Sequence, residues 1–193
     1  MVGIRNIMVV FVIAALSLAG CASGRMATAP EPATVTTPSP DKVTIVFMRP
    51  SILGYAVQSS VFDISTEPPI LVGIVSSRSK VAYVTAPGTR RFMVIGETAE
   101  FMDADLVGGK TYFVRVSPHM GAWKARFSLD PVKQSEASGL AADLKDAGWV
   151  ENTPASLQWA QSNMSSIQAK KADAFSHWQA STDKSTLHAE DGL

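Results

Sequence analysis

A chain of 193 residues, 46% of them hydrophobic, suits one packed domain with appendages rather than two full domains. Cys21 is its only cysteine, which excludes an intrachain disulfide and any cysteine-based zinc site. The 17 basic and 17 acidic residues cancel overall, yet residues 42–129 carry ten Lys or Arg against six Asp or Glu, and residues 130–193 carry five against nine. Such a split arises when a basic surface meets an anionic partner, or when two segments of one chain pack together.

The N-terminus has the three parts of a secretory signal. Arg5 supplies a positive start, Ile7 to Leu16 is an unbroken apolar run, and small residues follow at Ala19 and Gly20. The run is too short for a bilayer crossing, which needs about 20 apolar residues, and no second run of that length follows. Leu18-Ala19-Gly20-Cys21 resembles the lipobox of bacterial lipoproteins. That resemblance implies that residues 1–20 are removed and that Cys21 becomes the lipidated N-terminus with three acyl chains. At about 0.8 kcal/mol per buried CH₂, two or more chains make a stable anchor. Ala22, where an Asp would favour the inner membrane, resembles the outer-membrane class, so the resemblance places the chain on the outer membrane, facing the periplasm. The competing reading is a plain signal peptide with Cys21 incidental.

Residues 22–41 read as a flexible tether. They are rich in Ala, Thr, Ser and Pro, with Pro30, Pro32, Pro38 and Pro40, and hold too few large apolar groups to offset their ordering entropy. From Lys42 the period becomes two, with Val43, Ile45 and Phe47 on one face and Arg49-Pro50 as a stop. Similar runs follow at 56–64, 70–75, 81–85, 91–95, 111–116 and 123–129, separated by turn signals such as Pro87-Gly88 and Gly108-Gly109. In the last run Trp123, Ala125, Phe127 and Leu129 alternate with Lys124, Arg126, Ser128 and Asp130. The spacing predicts a mainly β domain over residues 42–130, an antiparallel sandwich or barrel of about seven or eight strands.

After Pro131 the period turns helical. Leu140 and Leu144 lie four apart and Gly148 marks a stop, predicting a helix over 135–147. Thr153-Pro154 reads as an N-cap and first helical position. Leu157, Ala160, Met164, Ile167, Ala174 and Trp178 then predict a single helix of about six turns, with an apolar stripe that suits the domain's own sheet or first helix, the alternative being a partner. Residues 131–180 thus form a two-helix segment, and residues 181–193 read as a frayed polar tail.

Residues 42–135 are similar to a family of bacterial lipoproteins with a small all-β domain and no established activity. The likeness rests on Arg49-Pro50, Pro87-Gly88 and Gly109-Lys110-Thr111-Tyr112-Phe113-Val114-Arg115-Val116. It implies fold and location only. Gly109-Lys110-Thr111 is not a phosphate loop, because the upstream glycine is replaced by Ala104 and a strand follows.

No motif supplies a catalytic, metal or cofactor site. His119, His177 and His188 are scattered, and no Gly-x-Ser-x-Gly elbow occurs. Glu97, Glu100, Asp103 and Asp105 lack calcium-loop spacing and read as a solvated hairpin rim. The acid-free stretches 68–96 and 106–129 carry Arg90, Arg91, Arg115, Lys124 and Arg126, candidates for binding an anionic envelope lipid or glycan. Nucleic acid is a poor partner for an exported chain. The reading is therefore non-enzymatic: a lipoprotein held to the membrane by acyl chains, with a binding or scaffolding surface for envelope proteins, lipid or glycan. The alternatives are a lipid or glycan pocket inside the sheet, and a hydrolase built on His119.

Overall fold

The computed structural model describes residues 25–36, 38–120 and 125–193. In chain order the elements are β1 (Met26–Thr28), α1 (Ala33–Thr36), β2 (Val43–Arg49), β3 (Ser59–Asp63), β4 (Ile70–Val75), β5 (Ser79–Thr85), β6 (Gly88–Ile95), β7 (Ala99–Leu106), β8 (Thr111–Met120) and β9 (Ala125–Pro131). Then come α2 (Ala137–Asp146), β10 (Gly148–Asn152), α3 (Pro154–Ser162), α4 (Met164–Ala180) and β11 (Ser185–Leu187). Two sheets face each other: a six-stranded one in the order β1-β10-β5-β2-β8-β9 and a five-stranded one in the order β11-β7-β6-β3-β4.

The fold is mainly β and sandwich-like, with the helices toward the C-terminus. Its layers follow from which side chains each strand must hide. β2 is buried on both faces. Val43, Ile45 and Phe47 enter the core between the sheets, with Phe92, Tyr112, Phe127 and Leu129 opposite or beside them. Val46 and Met48 point the other way and pack with Phe113, Val132 and Leu140, so α2 covers the outer face of the six-stranded sheet. On the five-stranded sheet, Phe62, Leu71, Met93 and Phe101 meet Ala160 of α3 and Ile167 and Trp178 of α4. Fully burying each such side chain stabilises by about 1.5–3 kcal/mol. A ligand lodged between the sheets would have to displace Phe47, Phe92 and Phe127, all at most 1% exposed.

All seven predicted strand runs are strands, but the sheets are mixed rather than antiparallel and hold eleven strands. The pairs β2–β8, β5–β10 and β7–β11 are parallel. Residues 99–106, read as a solvated rim, form β7: Phe101, Met102, Ala104 and Leu106 are buried between the acids. The remaining three added strands, β1, β10 and β11, are three to five residues long, too short for a period to register, and pairing with other strands defines them.

The predicted single helix over 153–178 is two. Thr153 caps α3 with its hydroxyl accepting from the Ser156 N–H. The helix then breaks at Asn163, whose side-chain amide donates to the Trp159 carbonyl at 2.7 Å. The tail is not frayed: β11 pairs with β7, Leu187 is fully buried, and Leu193 and Thr111 exchange backbone hydrogen bonds of 3.0 Å. The tether is also largely seated. β1 pairs antiparallel with β10, the Ala29 N–H donates to Trp149, and the carbonyls of Thr34 and Val35 accept from the hydroxyls of Thr44 and Thr111. What composition alone cannot see is that these small residues find partners on β10, β2 and β8.

Candidate functional site

The strand registers give the sandwich two ends. Arg49 pairs with Ser79, and Ser79 lies level with Gly148; the opposite end holds Val43 and Thr85. β8 and β9 run past the Arg49 end, to the pair Met120–Ala125. The turn between β6 and β7 lies at the same end, since Ile95 pairs with Ala99 beside Ser60.

Here an open cleft of about 540 Å³ lies between Glu97–Glu100, Arg126 of β9, and the α4 residues Lys170, Asp173, His177 and Trp178. Lys170 fixes one wall, its ammonium donating to the Gly96 carbonyl at 2.8 Å. Trp178 fixes another. It packs against Phe101 and Phe175 at centroid distances of 5.5 Å, and the Arg91 guanidinium lies 4.7 Å over its ring. Its indole N–H is buried and donates to nothing among the described residues.

β7 alternation sets the chemistry. Glu100 shares the inward face with Met102, Ala104 and Leu106, but sits at the strand's start, where the two sheets open. Burial pushes its carboxyl above the usual range, while Arg126 and His119 act in the opposite sense. Across the β8–β9 pair, His119 Nε2 lies 2.7 Å from Ser128 Oγ. Among the described residues no carboxylate hydrogen-bonds that histidine and no three His, Cys, Asp or Glu side chains gather as a metal site. The cleft therefore offers both signs of charge, suited to a ligand carrying an amine and a carboxylate.

The four described candidate anion-binding residues do not form one surface. Arg90 lies 3.6 Å from the buried Asp63 carboxylate, which also accepts from Tyr83 at 2.9 Å. Arg91 pairs with Asp103 at 2.6 Å. Arg115 bridges Asp143 at 2.6 Å and Glu136 at 2.8 Å, so here the basic β segment meets the acidic C-terminal segment of its own chain. Arg126 alone of the four described enters the cleft, and it has no ion-pair partner among the described residues. Lys124, and Leu18, Ala19, Gly20 and Cys21 of the anchor motif, lie outside the described residues.

Two buried cations escaped the sequence reading. Arg49 is fully buried and its guanidinium donates to the carbonyls of Val57, Leu53 and Gly54 at 2.7–2.8 Å. Lys80 donates to the carbonyls of Leu144 and Ala147, satisfying the C-terminal end of α2, and lies 4.7 Å over the Trp149 ring. From the sequence Arg49 reads only as the end of a strand before Pro50, and Lys80 as one more basic residue of an acid-free stretch; only the fold reveals their depth.

Among the described residues no helix is long and apolar enough to cross a membrane. Compared with family models, curated proteins and solved structures, the chain matches none.

Proposed function

We propose that the chain is a lipoprotein of the bacterial outer membrane, held by acyl chains on Cys21 and facing the periplasm, whose β-rich head is a binding module. The signal-like order of Arg5, the Ile7–Leu16 run and Leu18-Ala19-Gly20-Cys21 supports the anchor. The observation that carries the binding role is the cleft itself. Glu100 and Asp173 line a cleft of about 540 Å³ together with Arg126 and Lys170, so both signs of charge meet in it. Its ligand is zwitterionic, of the kind found in the peptide part of an envelope glycan, with its ammonium toward Glu100 and its carboxylate toward Arg126.

The full chain, extracted from membranes in detergent, is titrated with soluble cell-wall peptides and separately with phospholipid headgroups, following tryptophan fluorescence. Peptide binding that weakens at least tenfold in Arg126→Ala supports the reading. Headgroup binding indifferent to Arg126 removes the cleft from it.

A second reading, hydrolysis, rests on the 2.7 Å contact between His119 and Ser128, a base within reach of a hydroxyl. Ser128→Ala separates the two. Loss of turnover of the same peptides without loss of their binding supports hydrolysis, and unchanged peptide levels over hours dismiss it.

A further inference from the structure

We infer that the surface formed by Arg25 and the uncharged helix α3 lies directly on the lipid bilayer, instead of the head hanging on a long leash. This rests on the acylation of Cys21 proposed above.

The argument begins with covalent reach. Four residues carry the chain from Cys21 to Arg25, a span of at most about 14 Å. Arg25 is not part of a leash. Its carbonyl accepts from the Thr153 hydroxyl at 2.7 Å, its guanidinium lies 5.2 Å over the Trp159 ring, and the next residue opens β1. Nine-residue α3 is itself about 13 Å long. An acyl group leaving from Cys21 thus brings the lipid surface within one helix length of α3.

The surface met there is of the right kind. α3 reads Pro-Ala-Ser-Leu-Gln-Trp-Ala-Gln-Ser and holds no charged residue. Leu157 on it is 47% exposed, and Ile70, first residue of the strand on which α3 packs, is 45% exposed. Trp159, half-buried beneath the Arg25 guanidinium, has the amphipathic character favoured at a lipid headgroup boundary. Glu67, which precedes Ile70, is paired with Lys171. The opposite end of the strands holds the candidate cleft. Asn152, the partner of Met26, stands four residues or about 13 Å along β10 from Gly148, which is level with Ser79 and Arg49. The placement leaves that end open to the periplasm.

The test uses the full chain processed in cells, purified in detergent and reconstituted in phosphatidylethanolamine–phosphatidylglycerol vesicles. A bimane label is placed at Leu157→Cys or, as the distant control, at Tyr55→Cys, which is 79% exposed beyond the Arg49 end. Both sites are exposed, so neither label enters the core. With nitroxide lipids added, the label at 157 is expected to lose at least half its fluorescence, and the label at 55 less than a tenth. Intact mass on the same samples reports the acyl chains. A fully acylated chain with no quenching at 157, or with equal quenching at both sites, overturns the placement alone. An unacylated Cys21 overturns the anchor and the placement with it.

Discussion

The Arg49 guanidinium lies 4.8 Å above the ring of Phe127 and donates to three carbonyls of the loop between β2 and β3. One buried cation thereby holds a loop whose Ile52, Leu53 and Tyr55 face solvent. Removing it leaves part-buried acceptors unpaired, at up to about 1–3 kcal/mol each before water enters. Arg49→Ala is expected to lower stability by roughly 3 kcal/mol, read as a fall in the urea midpoint. Arg49→Lys should recover little, because a single ammonium lacks the fork that reaches three carbonyls. Amide exchange at residues 52–57 should quicken in both variants. An unchanged midpoint would dismiss the clasp.

Tyr83 gives a pH signature. Burial, then the neighbouring Asp63, pushes its phenol up to about 12 from an ordinary value near 10. Between those values the unfolded chain has lost a proton that the folded chain keeps, so stability falls as pH rises through the window. At 1.36 kcal/mol per unit, the full loss is about 2–3 kcal/mol. Tyr83→Phe should flatten the urea midpoint between pH 10 and 11.5, after an initial cost from the lost bond to Asp63. A wild-type midpoint constant over that range would contradict the burial assigned to this phenol.

These two residues mark how far the sequence could be read. Val43, Ile45 and Phe47 alternate with enough regularity to name β2, and Phe127 and Leu129 do the same for β9. That alternation is blind to what covers the other face. Val46 and Met48 under α2 turn a half-wet strand into a fully buried one. It is blind to pairing direction as well, so the parallel β2–β8 pair left no trace. In β7 the acids at Glu100, Asp103 and Asp105 masked Phe101, Met102, Ala104 and Leu106. The cleft escaped for a related reason. Its residues come from the β6–β7 turn, β7, β9, α4 and the segment after it, and only the packing of the two sheets places Glu100 near Arg126. Among the flagged cations, Arg126 was legible as a candidate, whereas Arg90, Arg91 and Arg115 have intramolecular partners that spacing cannot reveal.

The C-terminal segment makes a sharper stability prediction. Leu187 is fully buried on the edge of the five-stranded sheet, and the Lys110 ammonium and Tyr112 hydroxyl both donate to the turn that follows it. A Cβ on Gly192 would lie 2.6 Å from Tyr112 Cζ, so even alanine is expected to lift the last residues away. Leu187→Ala should cost about 2–5 kcal/mol. Removing residues 185–193 should cost at least as much and leave β7 with an unpaired edge, promoting association. Equilibrium unfolding and light scattering of the two variants check both effects. Wild-type values in the truncated chain would return the segment to a frayed tail.

Glu100 offers the test of the cleft that depends least on naming the ligand. Its carboxyl is held above the usual range by burial and pulled back by Arg126 and His119. A ligand ammonium needs the ionised form, so affinity should fall as pH drops through that raised value rather than near the ordinary value of about 4.3. Glu100→Gln should weaken binding and remove this pH dependence together. Arg126→Ala removes an opposing charge, so the carboxyl should climb further and the fall in affinity should begin at higher pH. His119→Gln is the control that isolates the carboxyl. Side-chain NMR of Glu100 across pH 3 to 8 reads the shift directly, without any ligand. If Arg126→Ala leaves that titration where it was, the two groups do not share a site, and the mixed-charge cleft loses the pair on which its chemistry depends.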